Sequence, residues 1–321
     1  MNPYLSPMKS DHNGTAISRR AFLKTTGVAA TAVGVGITLT TATAATAKRK
    51  VVVGAHPWVY AATQPNYDLT PVLPQIFADF SYAGMDGIEL MHTALNPNDA
   101  VARIGELSVK HNLPVIGTSF SGAMWDRGQH ALVLENAELV VTRLAKLGGR
   151  TLGTSVGALR GAAAKAKKTV EHLDAQAECL KKIIALGTKH GVVVNLHNHT
   201  YEVENELHDL KGTLERIPDA KLGPDLNWLV RGGINPADFI RLYGKQIVFL
   251  HLRDQRKDGK WVEAMGEGNM DFHEIATALR EVDFSGDAII ELAHEKEFKL
   301  TRPLRESVKL SRGFVRRVLG Y

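Results

Sequence analysis

Four side chains in the second half of the chain, His197, Asp225, His251 and Glu291, each stand at the end of a short apolar run. A mixed nitrogen and oxygen set of this kind suits one borderline or hard divalent cation, and Mn, Zn, Co, Fe and Mg are all admissible. Carboxylates gathered at one point repel each other, and a cation removes that cost. Each residue also has a plainer reading: a histidine at a strand end is often only hydrogen-bonded, and Glu291 can pair with Arg253. The joint occurrence favours a metal site. Within His197-Asn198-His199, residues two apart share a face of an extended chain, so both histidines can look the same way while Asn198 points into the wall. One of them binds metal, and the other touches substrate or moves a proton near neutral pH; spacing alone does not choose between them.

The elements that must position these groups repeat through the chain after residue 49. Short β-branched runs alternate with longer stretches of helical period, and no low-complexity linker marks a second domain. The spacing predicts strands at Val51 to His56, Gly87 to Met91, Pro114 to Ser119, Thr151 to Ser155, Val192 to Asn198, Leu222 to Leu226, Ile247 to Leu252 and Ala288 to Leu292, all dense in Val, Ile and Leu as parallel strands covered on both faces are. Amphipathic stretches such as Leu132 to Leu147 and Leu173 to His190 lie between them, and glycines at 148 and 191 supply the expected stops. Eight strand-helix pairs in about 270 residues predict a closed (β/α)8 TIM barrel in a single domain. An open doubly wound sheet is the competitor, but His56-Pro57-Trp58-Val59-Tyr60 stands where its glycine-rich phosphate loop is expected. Active sites of such barrels lie at the carboxyl ends of the strands, which directs attention to His56 and Trp58, Glu89, Trp125, His197 to His199, Asp225 with Asn227 and Trp228, His251 with Arg253, and Glu291.

Residues 1–47 read as an address rather than as core. Ser18-Arg19-Arg20-Ala21-Phe22-Leu23-Lys24 resembles a twin-arginine export motif, followed by a weakly apolar stretch and a small-residue cleavage site at Ala45-Thr46-Ala47. The stretch has too much Thr and Gly for a stable membrane span. A barrel at residues 48–321 is therefore expected to leave by the twin-arginine machinery and act in the periplasm or outside the cell. The leader carries Lys9, Arg19, Arg20 and Lys24 against Asp11, so most of the formal charge of +5 belongs to it. So lightly charged a barrel does not suit a nucleic-acid partner, and clusters such as Lys165-Ala166-Lys167-Lys168 read as solvated loop. The single cysteine, Cys179, permits no intrachain disulfide.

Several passages together resemble the xylose isomerase-like TIM barrels, a superfamily of sugar isomerases and epimerases that also includes AP endonucleases and inosose dehydratases. They are Gly84-Met85-Asp86-Gly87-Ile88-Glu89-Leu90, Leu196-His197-Asn198-His199, Asp225-Leu226-Asn227-Trp228 through Gly232, Gly233 and Pro236, His251-Leu252-Arg253-Asp254, Gly266-Glu267-Gly268-Asn269-Met270-Asp271-Phe272, and Ile289-Ile290-Glu291. The resemblance spans Val51 to the end. It implies one divalent ion on His197, Asp225, His251 and Glu291, with His197 standing where the epimerases place a carboxylate. It also implies proton abstraction beside a carbonyl through an enediolate, with glutamates on opposite faces of the carbon. Glu291 fills one part, and His197, His199 or Glu202 must fill the other. The expected activity is that of a metal-dependent isomerase or epimerase of a small carbohydrate.

A single base with a neighbouring acid also serves β-elimination, so a keto-sugar or 3-keto-glycoside lyase is the alternative. Of lower rank are substrate contacts by His56, Trp58, Glu89, Trp125, Asn227, Trp228 and Arg253, and a lid ordered by Glu267. An AP endonuclease would need more metal ligands and a basic groove, and a sugar-binding protein would not need the metal set.

Overall fold

The computed structural model describes residues 50–163 and 166–321; the expected export leader lies outside these described residues. Eight parallel strands form one sheet: β1 (Val52–Ala55), β2 (Gly87–Met91), β3 (Val115–Ser121), β4 (Thr151–Ser155), β5 (Val193–Leu196), β6 (Lys221–Leu222), β7 (Phe249–Leu252) and β8 (Asp287–Ile290). Their order is β6-β5-β4-β3-β2-β1-β8-β7. The circle closes between β6 and β7, where Leu222 bridges Ile247 and Asp225 bridges His251 in parallel register. Here the amide of His251 donates to the carbonyl of Pro224 at 2.9 Å, which ties two of the predicted metal ligands to neighbouring rungs. The fold is a (β/α)8 TIM barrel.

Helices Leu73–Tyr82, Ala100–His111, His130–Lys146, Val170–Lys189, Thr200–Arg216, Pro236–Tyr243, Phe272–Glu281 and Leu304–Val318 follow the strands in turn. Each buries an apolar stripe against the sheet; in Val170–Lys189 the stripe includes Leu173, Cys179, Leu180 and Ile183. That helix starts on a capping box between Thr169 and His172 and stops where Gly191 takes the left-handed conformation at φ 69°.

Beneath the mouth, the barrel interior is filled by Ile116, Phe249 and Ile289. Gly54 makes room for this floor, since a Cβ there would lie 2.7 Å from Ile116 Cδ1 and 2.8 Å from Ile289 Cδ1. An apolar floor under polar strand ends means that charge introduced at the mouth cannot drain to water from below.

Three expectations need correcting. β5 and β6 are shorter than their apolar runs: β6 stops at Leu222, before Gly223 and Pro224, although Asp225 still bridges His251. The helix predicted from Leu132 begins two residues earlier, at His130. Lys168 is not solvated: it is buried, with Nζ 2.6 Å from Asp209 Oδ2 and donating to Gln176 Oε1 at 2.6 Å. The charge cluster gave no sign of the partner, which lies 41 residues downstream of it.

Candidate functional site

His197, Asp225 and His251 come together at the carboxyl end of the barrel. One ligand atom from each lies within 4.8 Å of the others, and all three residues are deeply placed. Asp225 is held by local geometry: as N-cap of the short helix Leu226–Arg231, its Oδ1 accepts from the amides of Asn227 at 2.8 Å and Trp228 at 3.1 Å. Asn198 points into the wall and exchanges hydrogen bonds with the backbone of Asp225. Its neighbours His197 and His199 face the mouth with ring centroids 4.9 Å apart.

Glu291 joins this group through His251, whose Nδ1 lies 2.8 Å from Glu291 Oε2. The other ring nitrogen, Nε2, meets Glu89 Oε2 at 2.5 Å. A buried carboxylate on one nitrogen fixes the orientation of an imidazole, as at metal-binding histidines generally. His56 Nδ1 approaches Glu291 Oε1 at 3.3 Å, and Ser119 Oγ holds His56 Nε2 at 3.1 Å. Arg253 lies across the carboxylates, with NH2 2.7 Å from Glu291 Oε2 and 3.3 Å from Asp225 Oδ2.

Electrostatics follow from these contacts. Burial raises the Asp225 carboxyl despite the Arg253 charge. Burial works against ionisation of Glu291 too, but Arg253, His251 and His56 outweigh it and hold that carboxyl well below the usual range. Burial alone would deprotonate His251, yet Glu89 and Glu291 push it well above an ordinary imidazole. For His197 burial and the charge of His251 act together and depress it far below that value, so its ring is neutral and its lone pair free. Its Nδ1 is buried and has no hydrogen-bond partner among the described residues. A neutral, unpartnered imidazole beside two carboxylates and a second imidazole fits a divalent ion.

Glu202 sits in the first turn of the helix Thr200–Arg216. Its oxygens are occupied: Oε1 accepts from Ser155 Oγ at 2.8 Å and from the amide of Val156 at 3.1 Å, and Oε2 accepts from the amide of His199 at 2.5 Å. Oε2 also lies 3.4 Å from His199 Nδ1. The carboxylate therefore positions the imidazole. Burial would lower the His199 pKa, but the hydrogen bond and charge of Glu202, with Glu291 and Asp225 behind it, raise it.

The structure divides the remaining expected substrate contacts. Trp228 lies 5.7 Å from the His199 ring, beside the ion-pair network. Asn227 is fully buried and accepts from Trp261 Nε1 at 2.8 Å while donating to Gln255 at 2.8 Å. Trp58 stacks on Tyr67 at 5.3 Å, and Trp125 donates to the carbonyl of Ala158 at 3.2 Å. Glu267 binds Arg302 at 2.6 Å and accepts from the amide of Ala264, fastening the segment after β7 to the one before the last helix. Sequence reasoning missed Trp261 and Arg231. The guanidinium carbon of Arg231 lies 4.1 Å and that of Arg253 5.0 Å from the centroid of the Trp261 ring. Trp261 was the one tryptophan left unassigned, and that was its only signal.

A family model described as xylose isomerase-like TIM barrel matches residues 77–316. The chain belongs to the xylose isomerase-like TIM barrel family. No curated protein matches its sequence. Among solved structures of this barrel type, it is similar to D-allulose 3-epimerase from Methylomonas sp., at 18% identity and TM-score 0.69 over 84% of this chain and 99% of that one. L-ribulose 3-epimerase is 21% identical with TM-score 0.69, over 84% and 95% of the two chains. 3-keto-D-glucoside 4-epimerase from E. coli is 17% identical with TM-score 0.65, over 84% and 100%. At these identities the likeness carries the fold.

Proposed function

We propose that this barrel is a metal-dependent sugar isomerase or epimerase that removes a proton from the carbon beside a carbonyl and returns it through an enediolate. The observation that carries the reading is the meeting of His197, Asp225 and His251, with Glu291 on His251. Membership in the family and likeness to three sugar epimerases support it. A divalent ion held by His197, Asp225, His251 and Glu291 would supply stabilisation of negative charge growing on the sugar's carbonyl oxygen.

The protein's own groups do the rest. Glu291, ionised at neutral pH, accepts the proton from carbon. His199 carries the proton on the opposite side, with Glu202 fixing its ring. Arg253, whose guanidinium reaches toward both carboxylates, donates hydrogen bonds to the substrate oxygens, and the Trp228 face packs on the apolar side of the sugar. The apolar floor excludes water, so these charges act at full strength.

One observation favours a second reading. Because Glu202 is saturated with donors, the second carboxylate of a two-glutamate epimerase is replaced by an imidazole. A carboxylate base with an imidazolium acid suits β-elimination from a keto-glycoside as well. Incubating the protein with 3-keto-glycosides and free ketoses in deuterated water separates the two. Deuterium exchange with the linkage intact marks isomerisation, and released aglycone marks elimination. If Glu291→Gln left either activity unchanged, the base would be misassigned.

The twin-arginine motif adds that the protein reaches the periplasm or exterior folded and metal-loaded. Changing Arg19 and Arg20 to Lys should retain it in the cytoplasm, read by fractionation.

A further inference from the structure

Beyond the mouth, the chains leaving β7 and β8 build a cleft of about 480 Å³ between them, lined by Lys260, Trp261, Glu295, Lys296 and Phe298 among others. The volume lies within the range of small-molecule sites, roughly 300–1,000 Å³. Three contacts hold its walls. Gln255 and Trp261 pair as an antiparallel bridge, which folds the chain after β7 back on itself. Glu295 Oε1 accepts from the amide of Trp261 at 3.0 Å, clipping the two segments together. His294 stacks on Phe298 with centroids 4.6 Å apart and planes 13° off parallel.

The cleft is continuous in chemistry with the reacting centre. Its inner wall, Trp261, has the Arg253 guanidinium carbon 5.0 Å from its ring centroid, and that guanidinium touches Glu291 at 2.7 Å. Trp261 links the two places, since it lines the cleft together with Phe298 and its ring centroid lies 5.7 Å from that of Trp228. Two aromatic side chains rimmed by lysines and glutamates suit a ring with an apolar face and polar edges.

We propose that this cleft is a subsite for a ring carried on the anomeric oxygen of the reacting sugar, so that the substrate is a glycoside and not a free ketose. The inference rests on the keto-sugar reading above. The ring can be a second sugar or an aryl group, since both present a flat apolar face.

Isothermal titration of the metal-loaded protein with three 3-keto-β-D-glucopyranosides, the methyl, the 4-nitrophenyl and the glucosyl compound, tests it. Stacking of a ring on an aromatic pair is expected to make at least one ring-bearing compound bind about tenfold tighter than the methyl glycoside. The arm that shows the gain identifies aryl or sugar. Phe298→Ala should collapse the preference, and Phe298→Tyr should keep it. Equal affinities in the wild-type protein, no binding of either ring compound, or a preference that survives Phe298→Ala would overturn the subsite. Turnover of the methyl glycoside in the same samples reports separately on the catalytic reading. Turnover without a ring preference sinks the subsite alone, and a ring preference without turnover supports the subsite while counting against the catalytic reading.

Discussion

The two halves of the barrel contribute the same kinds of side chain to the mouth but give them different work. The ends of β5 to β8 bring His197, Asp225, His251 and Glu291 toward one point. The ends of β1 to β4 bring His56, Glu89, Ser119 and Ser155, and each of these holds another polar side chain: His56 on Glu291, Glu89 on His251, Ser119 on His56, Ser155 on Glu202. The difference teaches that a polar residue at a strand end is not by that fact a reacting one. What separates them is convergence: one ligand atom each from His197, Asp225 and His251 lies within 4.8 Å of the others, and none of His56, Glu89, Ser119 and Ser155 belongs to that group.

Breaking the reacting half should cost most. Asp225→Ala is expected to abolish bound metal, read by elemental analysis after dialysis, and to lower kcat/KM by at least about a thousandfold. Glu89→Gln attacks the supporting half at its most buried point. Loss of a carboxylate behind a ligating imidazole weakens metal binding about 10- to 100-fold, and a metal titration should find it.

Glu202→Gln sharpens the comparison, because a residue first expected to react should behave as a support. Glu202 raises the His199 pKa, so its removal lets His199 lose its proton at lower pH. The alkaline limb of the rate profile should therefore move to lower pH. The same sign governs stability: the Glu202 contribution is complete below the ordinary imidazole range and is lost as pH rises through the folded-state value. Denaturant titrations of wild type and variant should differ most at acidic pH and converge when alkaline. Ser119→Ala, which removes the hydrogen bond behind His56 and a long one to the Leu90 carbonyl, should change kcat by no more than a few-fold, in line with a net contribution of about 1 kcal/mol.

The barrel, and the convergence of His197, Asp225 and His251 at its mouth, were legible because they depend on local patterns. Each of the eight apolar runs overlaps a strand, with His251 inside β7, Glu291 directly after β8 and Asp225 three residues after β6. What was not legible depends on partners distant in sequence. Ser155 and the Val156 amide, which turn Glu202 into a support, lie on a different strand from it. Trp261 returns to the mouth only because the chain after β7 doubles back. Lys168 looks solvated until Asp209 is placed beside it. Whether His197 or His199 can take the metal was likewise undecided by alternation. Their contacts differ: Glu202 engages His199, whereas the Nδ1 of His197 is buried without a hydrogen-bond partner among the described residues.

The most direct test is anomalous diffraction from a crystal of the manganese-loaded protein. The account predicts a single strong peak within bonding distance, about 2.0–2.3 Å, of donor atoms from His197, Asp225, His251 and Glu291. No peak there under saturating manganese, with Arg253 still lying across Asp225 and Glu291, would contradict it.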